Sequence, residues 1–255
     1  MQNERQVRIQ RKPRILLRIF IVLFIAIILL LISTLFFRVN NVIVEGLERH
    51  NVEELSTASN IRQGQMLLFL PIERISQDLL NTFPYLQNVQ IRLQLPDTVT
   101  ITVTERQAIA YIDQDEQRWV IDRYGRLLEF KDIETKSVGF ELRGIYLDNP
   151  QVNTYINSPE RRHIQTYELL LEALREHGLL QKLDYIDLTG LADITFSINE
   201  QFTVRLGDIS DYDYKLNLLH SVLVQLAENR PNARGTISLI DAPERRRAVF
   251  SEEFE

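Results

Sequence analysis

Residues Ile19 to Phe37 form a run of nineteen with no charge and no proline, in which only Ser33 and Thr34 are polar. A bilayer core about 30 Å thick is crossed by roughly 20 apolar residues in a helix. A lone segment in lipid must satisfy its own backbone hydrogen bonds, and a helix does so. The run therefore predicts one membrane-spanning helix bounded by Ile19 and Phe37, with residues 1–18 as a tail on one side and residues 38–255 as a body on the other. The tail carries Arg5, Arg8, Arg11, Lys12, Arg14 and Arg18 against Glu4, a net +5 that leaves −11 on the rest of a chain whose total is −6. Positive charge stays inside, so the tail is expected in the cytoplasm and the acidic body outside. A cleaved signal peptide would have a shorter apolar region and a small-x-small site, which Thr34 to Arg38 does not offer. A buried soluble helix would show a polar face.

The body is long enough for one large or two ordinary domains. With no cysteine in the chain, a disulfide scaffold, a thiolate zinc site and a cysteine nucleophile are excluded together. The acidic balance argues against nucleic acid, whose binders carry a basic stripe.

From Arg38 to Arg106 the pattern is that of an α+β unit. Asn41 to Glu45 is a β-branched run ending at Gly46. Asn51 followed by Glu54 is a capping pattern that opens a short helix. Pro71 stands at the head of a second helix with Ile72, Ile75 and Leu79 on one face, and Phe83-Pro84 ends it. Val89, Ile91, Leu93 and Leu95 then alternate with polar residues. After Pro96-Asp97, Val99, Ile101 and Val103 alternate with threonines, which predicts an antiparallel pair on a helix layer. The order is β-α-α-β-β.

That order directly outside a single anchor resembles a POTRA domain. The segments Val42 to Gly46, Ile61 to Gly64, Phe83 to Leu86, Leu95 to Val99 and Thr104 to Arg106 are similar to those of the FtsQ/DivIB cell-division family, with Glu105-Arg106 the most specific piece. The similarity continues through a hairpin turning at Gly125, Phe140 to Gly144, Val204 to Gly207 and Lys215-Leu216. Ser158-Pro159 is expected to open a helix with Ile164, Tyr167, Leu170, Leu171 and Leu174 inward, and Leu216, Leu219, Leu223 and Leu226 line another that stops before Pro231. Strands are expected at Tyr185–Leu188, Ile194–Ile198, Phe202–Leu206 and Thr236–Asp241. The expected fold class is thus α+β: a single transmembrane helix, a POTRA domain over 38–106, and a mixed α/β outer domain over 107–255 with an antiparallel-rich sheet.

No catalytic motif is present: G-x-S-x-G, S-x-x-K, H-E-x-x-H and a glycine-rich phosphate loop are all missing. His163 and His177 stand fourteen residues apart on one predicted helix, too far to share a metal. Asp208, Asp211 and Asp213 suggest either calcium or acids placed at a helix N-terminus, and the spacing lacks the glycine and terminal glutamate of an EF-hand loop. No metal and no cofactor are expected.

Two contact surfaces remain: the POTRA sheet and the C-terminal segment 236–250. In the FtsQ/DivIB family the last strands form the docking edge for FtsB/DivIC-type and FtsL-type partners, so the resemblance implies contacts at Ile237, Leu239, Ile240, Ala248, Val249 and Phe250. A free strand edge makes strand addition physically reasonable. Between these pieces Pro243 cannot donate to a ladder, and Arg245 to Arg247 is either a solvated turn or a face for an acidic partner. The resemblance implies a non-enzymatic divisome scaffold in the bacterial plasma membrane, enriched at the septum. The competing classes are a POTRA-bearing export or envelope-assembly factor and a signal-anchored extracytoplasmic enzyme.

Overall fold

The structure is a computed structural model that describes residues 13–136 and 138–252, with side chains of the first helix described at 17–29, 31 and 36. Contacts divide the chain into two units: one running to Thr82 and resuming over Leu86–Glu105, the other comprising Phe83–Tyr85 and the chain from Arg106 onward.

Helix α1 (Pro13–Phe36) starts six residues before the expected span and ends one residue short of it. Its first turn can begin at proline because that residue's missing N–H has no helical partner to lose. The described apolar side chains from Leu17 to Leu31 are all exposed. Their longest unbroken stretch is 17–29. Among the described residues no helix is long and apolar enough to cross a membrane. Of the expected basic tail, residues 1–12 lie outside the described residues.

The rest of the first unit follows the expected β-α-α-β-β order: β1 (Asn41–Glu45), α2 (Val52–Ala58), α3 (Ile72–Thr82), β2 (Leu86–Gln94) and β3 (Thr98–Glu105). Asn51 caps α2, its side-chain oxygen accepting the Glu53 N–H at 3.1 Å. β3 lies between the other two strands, antiparallel to β2 through the short turn and parallel to β1 across the helical crossover. Val99, Ile101 and Val103 point into a core with Leu55, Ile75 and Leu79. The alternation fails at Thr100, which is also buried, since a central strand is flanked on both sides.

Glu105 ends β3 and ties down the turn after β1. Its carboxylate accepts backbone N–H groups from Glu48, Arg49 and His50 at 3.2, 2.8 and 3.3 Å, and meets the His50 ring at 2.9 Å. Burial alone would raise this carboxyl, but the bonds from His50 and those backbone groups outweigh it and hold the group below its ordinary value.

The second unit is one nine-stranded sheet with β4 (Ala108–Gln114), β5 (Gln117–Asp122), β6 (Leu127–Asp132), β7 (Phe140–Arg143), β8 (Leu183–Asp187), β9 (Ile194–Ile198), β10 (Phe202–Gly207), β11 (Gly235–Ser238) and β12 (Val249–Glu252). The spatial order is β12-β11-β10-β9-β8-β7-β4-β5-β6. Strands joined by tight turns pair antiparallel. The three parallel pairs, β10 with β11, β7 with β8 and β4 with β7, are those whose connections are long. Helices α4 (Arg161–Glu176) and α5 (Tyr212–Asn229) contact each other. They share one core with the sheet through Tyr167, Leu170, Leu174, Leu216 and Leu219.

Helix α4 begins later than expected. Ser158 does not cap it; its hydroxyl accepts the Glu160 N–H in the approach, and Glu160 holds the cap position without a side-chain capping bond, its carboxylate meeting the His163 ring at 3.1 Å instead. The acids before α5 also differ from the capping expectation. Asp211 sits at the cap with a left-handed φ of 49° and no side-chain bond. Asp208 instead binds the Ser210 hydroxyl and the buried Lys215 ammonium, which also donates to the Asp208 carbonyl at 3.0 Å. Those contacts, Ser210 first, hold the Asp208 carboxyl below its usual range. Asp213 pairs with His177. Among the described residues no group of three or more potential ligands is arranged to hold a metal.

Arg106 opens the second unit as Glu105 closes the first. Its guanidinium donates to Asp122 Oδ2 at 2.7 Å, with side chains 10% and 2% exposed. Asp122 Oδ1 accepts the N–H groups of Tyr124 and Arg126 and so shapes the Gly125 turn of the β5–β6 hairpin. Removing one partner of a buried pair leaves the other charge without compensation. Asp122→Ala should therefore cost about 3–5 kcal/mol in chemical denaturation; a loss within 0.5 kcal/mol would mean that the turn forms without this carboxylate.

A carboxylate with a depressed folded pKa contributes stability above its unfolded value and loses it as pH falls through the folded value. Wild type should therefore exceed Glu105→Gln in stability at neutral pH, with the gap closing as pH drops below the ordinary value of 4.5. Denaturation midpoints over a pH series check this, and a gap constant down to strong acid would contradict the assignment.

Candidate functional site

Beyond β11 the chain reaches the sheet edge by a device that the sequence pattern did not suggest. Asp241 caps a single helical turn, α6 (Ala242–Arg245), held by Arg245 N–H to Asp241 C=O at 2.9 Å and by Arg246 N–H to Ala242 C=O at 2.9 Å. Pro243 stands within its first two positions, where the absent N–H costs no ladder bond. Arg246 takes a left-handed φ of 53° and turns the chain back, so that β12 runs antiparallel to β11.

The register pairs Gly235 with Glu252, Thr236 with Ser251, Ile237 with Phe250 and Ser238 with Val249. Gly235 permits this approach: a Cβ there would stand 2.1 Å from the Ser251 carbonyl oxygen. Its φ of 153° also disfavours a side chain. Phe250 packs edge-on against Phe202 at 6.2 Å, and Arg230 Nη1 reaches Glu252 Oε2 at 3.2 Å. β12 thus has β11 on one side and no strand on the other among the described residues.

The six implied contact residues separate into two sets. Ile237 and Leu239 are fully buried in the core, so neither can be a surface contact in this fold. Leu239 also spends its backbone N–H on the Arg205 carbonyl at 2.8 Å, and its carbonyl on Ala242. Ala248 and Phe250 are half-buried, packed on the core. Ile240 and Val249 are exposed, at 40% and 47%. Arg245, Arg246 and Arg247 are exposed as well. The alternation runs on past the end of β11 at Ser238, so that Ile237 and Leu239 face the core and Ile240 the surface, and the period of two separates Leu239 from Ile240.

The other outer strand of this sheet, β6, carries Glu129 and Lys131, which pair at 3.0 Å. Such charges blunt an edge against unwanted pairing. On β12 the exposed residues are Val249, Ser251 and Glu252.

The first unit is a small sheet ordered β1-β3-β2 with two helices, and the second is a mixed sheet ending on a short free strand. The family model described as "POTRA domain, FtsQ-type" matches residues 37–106. The chain is 28% identical over 189 residues to cell division protein DivIB of Clostridium acetobutylicum, covering 74% of each protein. It is 25% identical over 204 residues to DivIB of Clostridium tetani, covering 80% of this chain and 76% of that one. To cell division protein FtsQ of Rickettsia typhi it is 25% identical over 220 residues, covering 86% of this chain and 67% of the relative. Residues 37–106 thus match an FtsQ-type POTRA domain, and over most of its length the chain is similar to DivIB and FtsQ cell division proteins.

The two classes of edge residue make opposite predictions. Leu239→Ala should destabilise the second unit by about 2–5 kcal/mol, and a charge at that position by more. Val249→Lys should change stability by less than about 0.5 kcal/mol. Denaturation of both variants checks the burial assignment; a Leu239→Lys chain as stable as wild type would refute it.

Proposed function

We propose that this protein is a non-enzymatic scaffold of the divisome, held in the plasma membrane by one helix and docking its partners by strand addition at β12. In this reading residues 1–18 lie in the cytoplasm, the run from Ile19 to Phe37 spans the bilayer, and both units stand outside at the division septum. The span is supported by the uncharged, almost wholly apolar sequence from Ile19 to Phe37 and by the apolar side chains that α1 leaves uncovered, which cost free energy in water and none in lipid.

The observation that carries the docking proposal is the free side of β12, at the end of the sheet of a chain similar to DivIB and FtsQ cell division proteins. An FtsB/DivIC-type or FtsL-type partner would add a strand there, its main chain pairing with residues 249–252. Ile240 and Val249 would offer apolar contacts flanking that strand. The exposed Arg245, Arg246 and Arg247 would face acidic residues of the incoming segment. The sheet of the first unit, with β1 and β2 at its edges, is a second place where a division protein could attach.

The test compares the full chain with one ending at Arg247, which removes β12 but keeps Ile237, Leu239 and Ala242 in the core. An earlier cut would delete core residues and confuse docking with folding. In detergent-solubilised pull-downs with the outer parts of FtsB/DivIC- and FtsL-type proteins, the full chain should bind and the shortened chain should lose most binding. Equal binding by both would remove the edge from the proposal and direct attention to the first unit.

A further inference from the structure

The segment Gly64–Phe69 is pinned to the residues that follow the apolar run. Leu67 N–H donates to the Phe37 carbonyl at 2.9 Å, Val39 N–H to the Gln65 carbonyl at 2.9 Å, and Gly64 N–H to the Val39 carbonyl at 2.8 Å. Arg38 and Met66 form the antiparallel bridge between them. Leu67 then starts a single 3-10 turn, Leu67–Phe69. Side chains on such a turn are spaced about 120° apart, so one can point inward while the next two point away. Leu67 is fully buried, whereas Leu68 is 53% and Phe69 78% exposed. Phe69 lies two residues beyond Leu67, so its Cα is within about 8 Å of a residue bonded to Phe37.

We propose that this turn is a foot that seats on the bilayer surface beside the anchor, with Leu68 and Phe69 in the interfacial layer. The proposal rests on the reading of Ile19 to Phe37 as a span, because that span sets the depth of Phe37. Exposed aromatic and aliphatic side chains such as these are what enters the boundary between headgroups and acyl chains. Basic residues stand close by. Arg62 is exposed, and Arg74, 81% exposed and 3.8 Å from Asp78, lines with Phe69, Met66 and Leu70 a cavity of about 400 Å³. Guanidinium groups at this level would favour any anionic headgroups in the leaflet that the turn faces. The occupant is lipid and not a partner protein because the backbone bonds fix the exposed pair at the chain's own exit from the bilayer.

The chain has no cysteine, so a nitroxide can be attached at a single introduced site on the full protein. Four variants are reconstituted without other proteins into phosphatidylethanolamine–phosphatidylglycerol vesicles: Val22→Cys in α1, Leu68→Cys, Phe69→Cys, and Glu48→Cys just beyond the far end of β1. Collision with oxygen and with a water-soluble nickel chelate is measured for each by power saturation. The label at 22 should be accessible to oxygen and shielded from nickel, and the label at 48 the reverse. Labels at 68 and 69 should be shielded from nickel several-fold relative to 48. If 22 is shielded while 68 and 69 match 48, the span stands and the foot is wrong, and the patch faces water or a partner. If 22 is itself as open to nickel as 48, the span reading fails and the foot fails with it.

Discussion

The pairing of Arg106 with Asp122 is the contact on which the second unit depends, and its neighbour Glu105 does the corresponding work in the first. Two adjacent residues in the chain close two separate structures. Glu105 gathers three N–H groups and an imidazole, and so fixes where the β1 strand hands over to α2. Arg106 supplies the cation for a carboxylate whose other oxygen holds the β5–β6 turn. A buried ion pair contributes little over an apolar isostere, yet loss of one partner is costly. That asymmetry makes each of these two positions costly to change in this chain. Apolar positions can exchange volume with their neighbours, whereas Glu105 accepts several N–H groups and Arg106 is the buried partner of Asp122.

An open sheet has two ends, and the nine strands treat them differently. β6 ends in alternating charges that pair along the strand. β12 is four residues long and receives one stabilising ion pair, from Arg230. It is held against the body by Phe250 and by the close approach that Gly235 allows. Shortness is a usual protection of an edge, and so is charge. On β12 the first is retained and the second is reduced at Val249. The strand is thus fastened from behind by β11 and has no strand in front of it among the described residues.

Much of this was legible in the sequence, and the failures have identifiable causes. The strand-helix-helix-strand-strand order could be read because each element carried its own period: two for β2 and β3, and three-to-four for α3. The strands β9 and β10 were read to within one residue for the same reason. Thr100 was misplaced because alternation describes a strand with one covered face, and β3 has neighbours on both sides. The start of α4 was misread because Ser158-Pro159 carries a helix-opening pattern, while the first helical residue is Arg161. Asp208 was read with Asp211 and Asp213 as one acidic group. Its actual partner, Lys215, lies a turn into α5 and had been noted only as part of a motif. The turn α6 was invisible because it depends on where β11 stops, which tertiary packing sets, whereas Leu239 keeps the inward parity of Ile237.

The dimensions of β12 also limit how an added strand could be held. Along a four-residue strand, alternate residues face outward, so at most about four backbone hydrogen bonds can form with an incoming chain. At about 0.5–1.5 kcal/mol each, their total falls near or below the estimated cost of about 4–15 kcal/mol for bringing two chains together. Main-chain pairing would therefore fix direction and register without giving a durable complex. The remainder must come from side chains beside the strand, and the exposed apolar groups there are Ile240 and Val249 with the arginines of α6 and its exit close to them in sequence. Completing the burial of these two aliphatic side chains, each worth less than the about 1.5–3 kcal/mol of a fully exposed one because both are already half covered, would narrow that gap. Selectivity would then rest on residues that precede and open β12 more than on the strand's own backbone, because any extended chain can use the backbone whereas only a matching one can cover the apolar pair and meet the basic run.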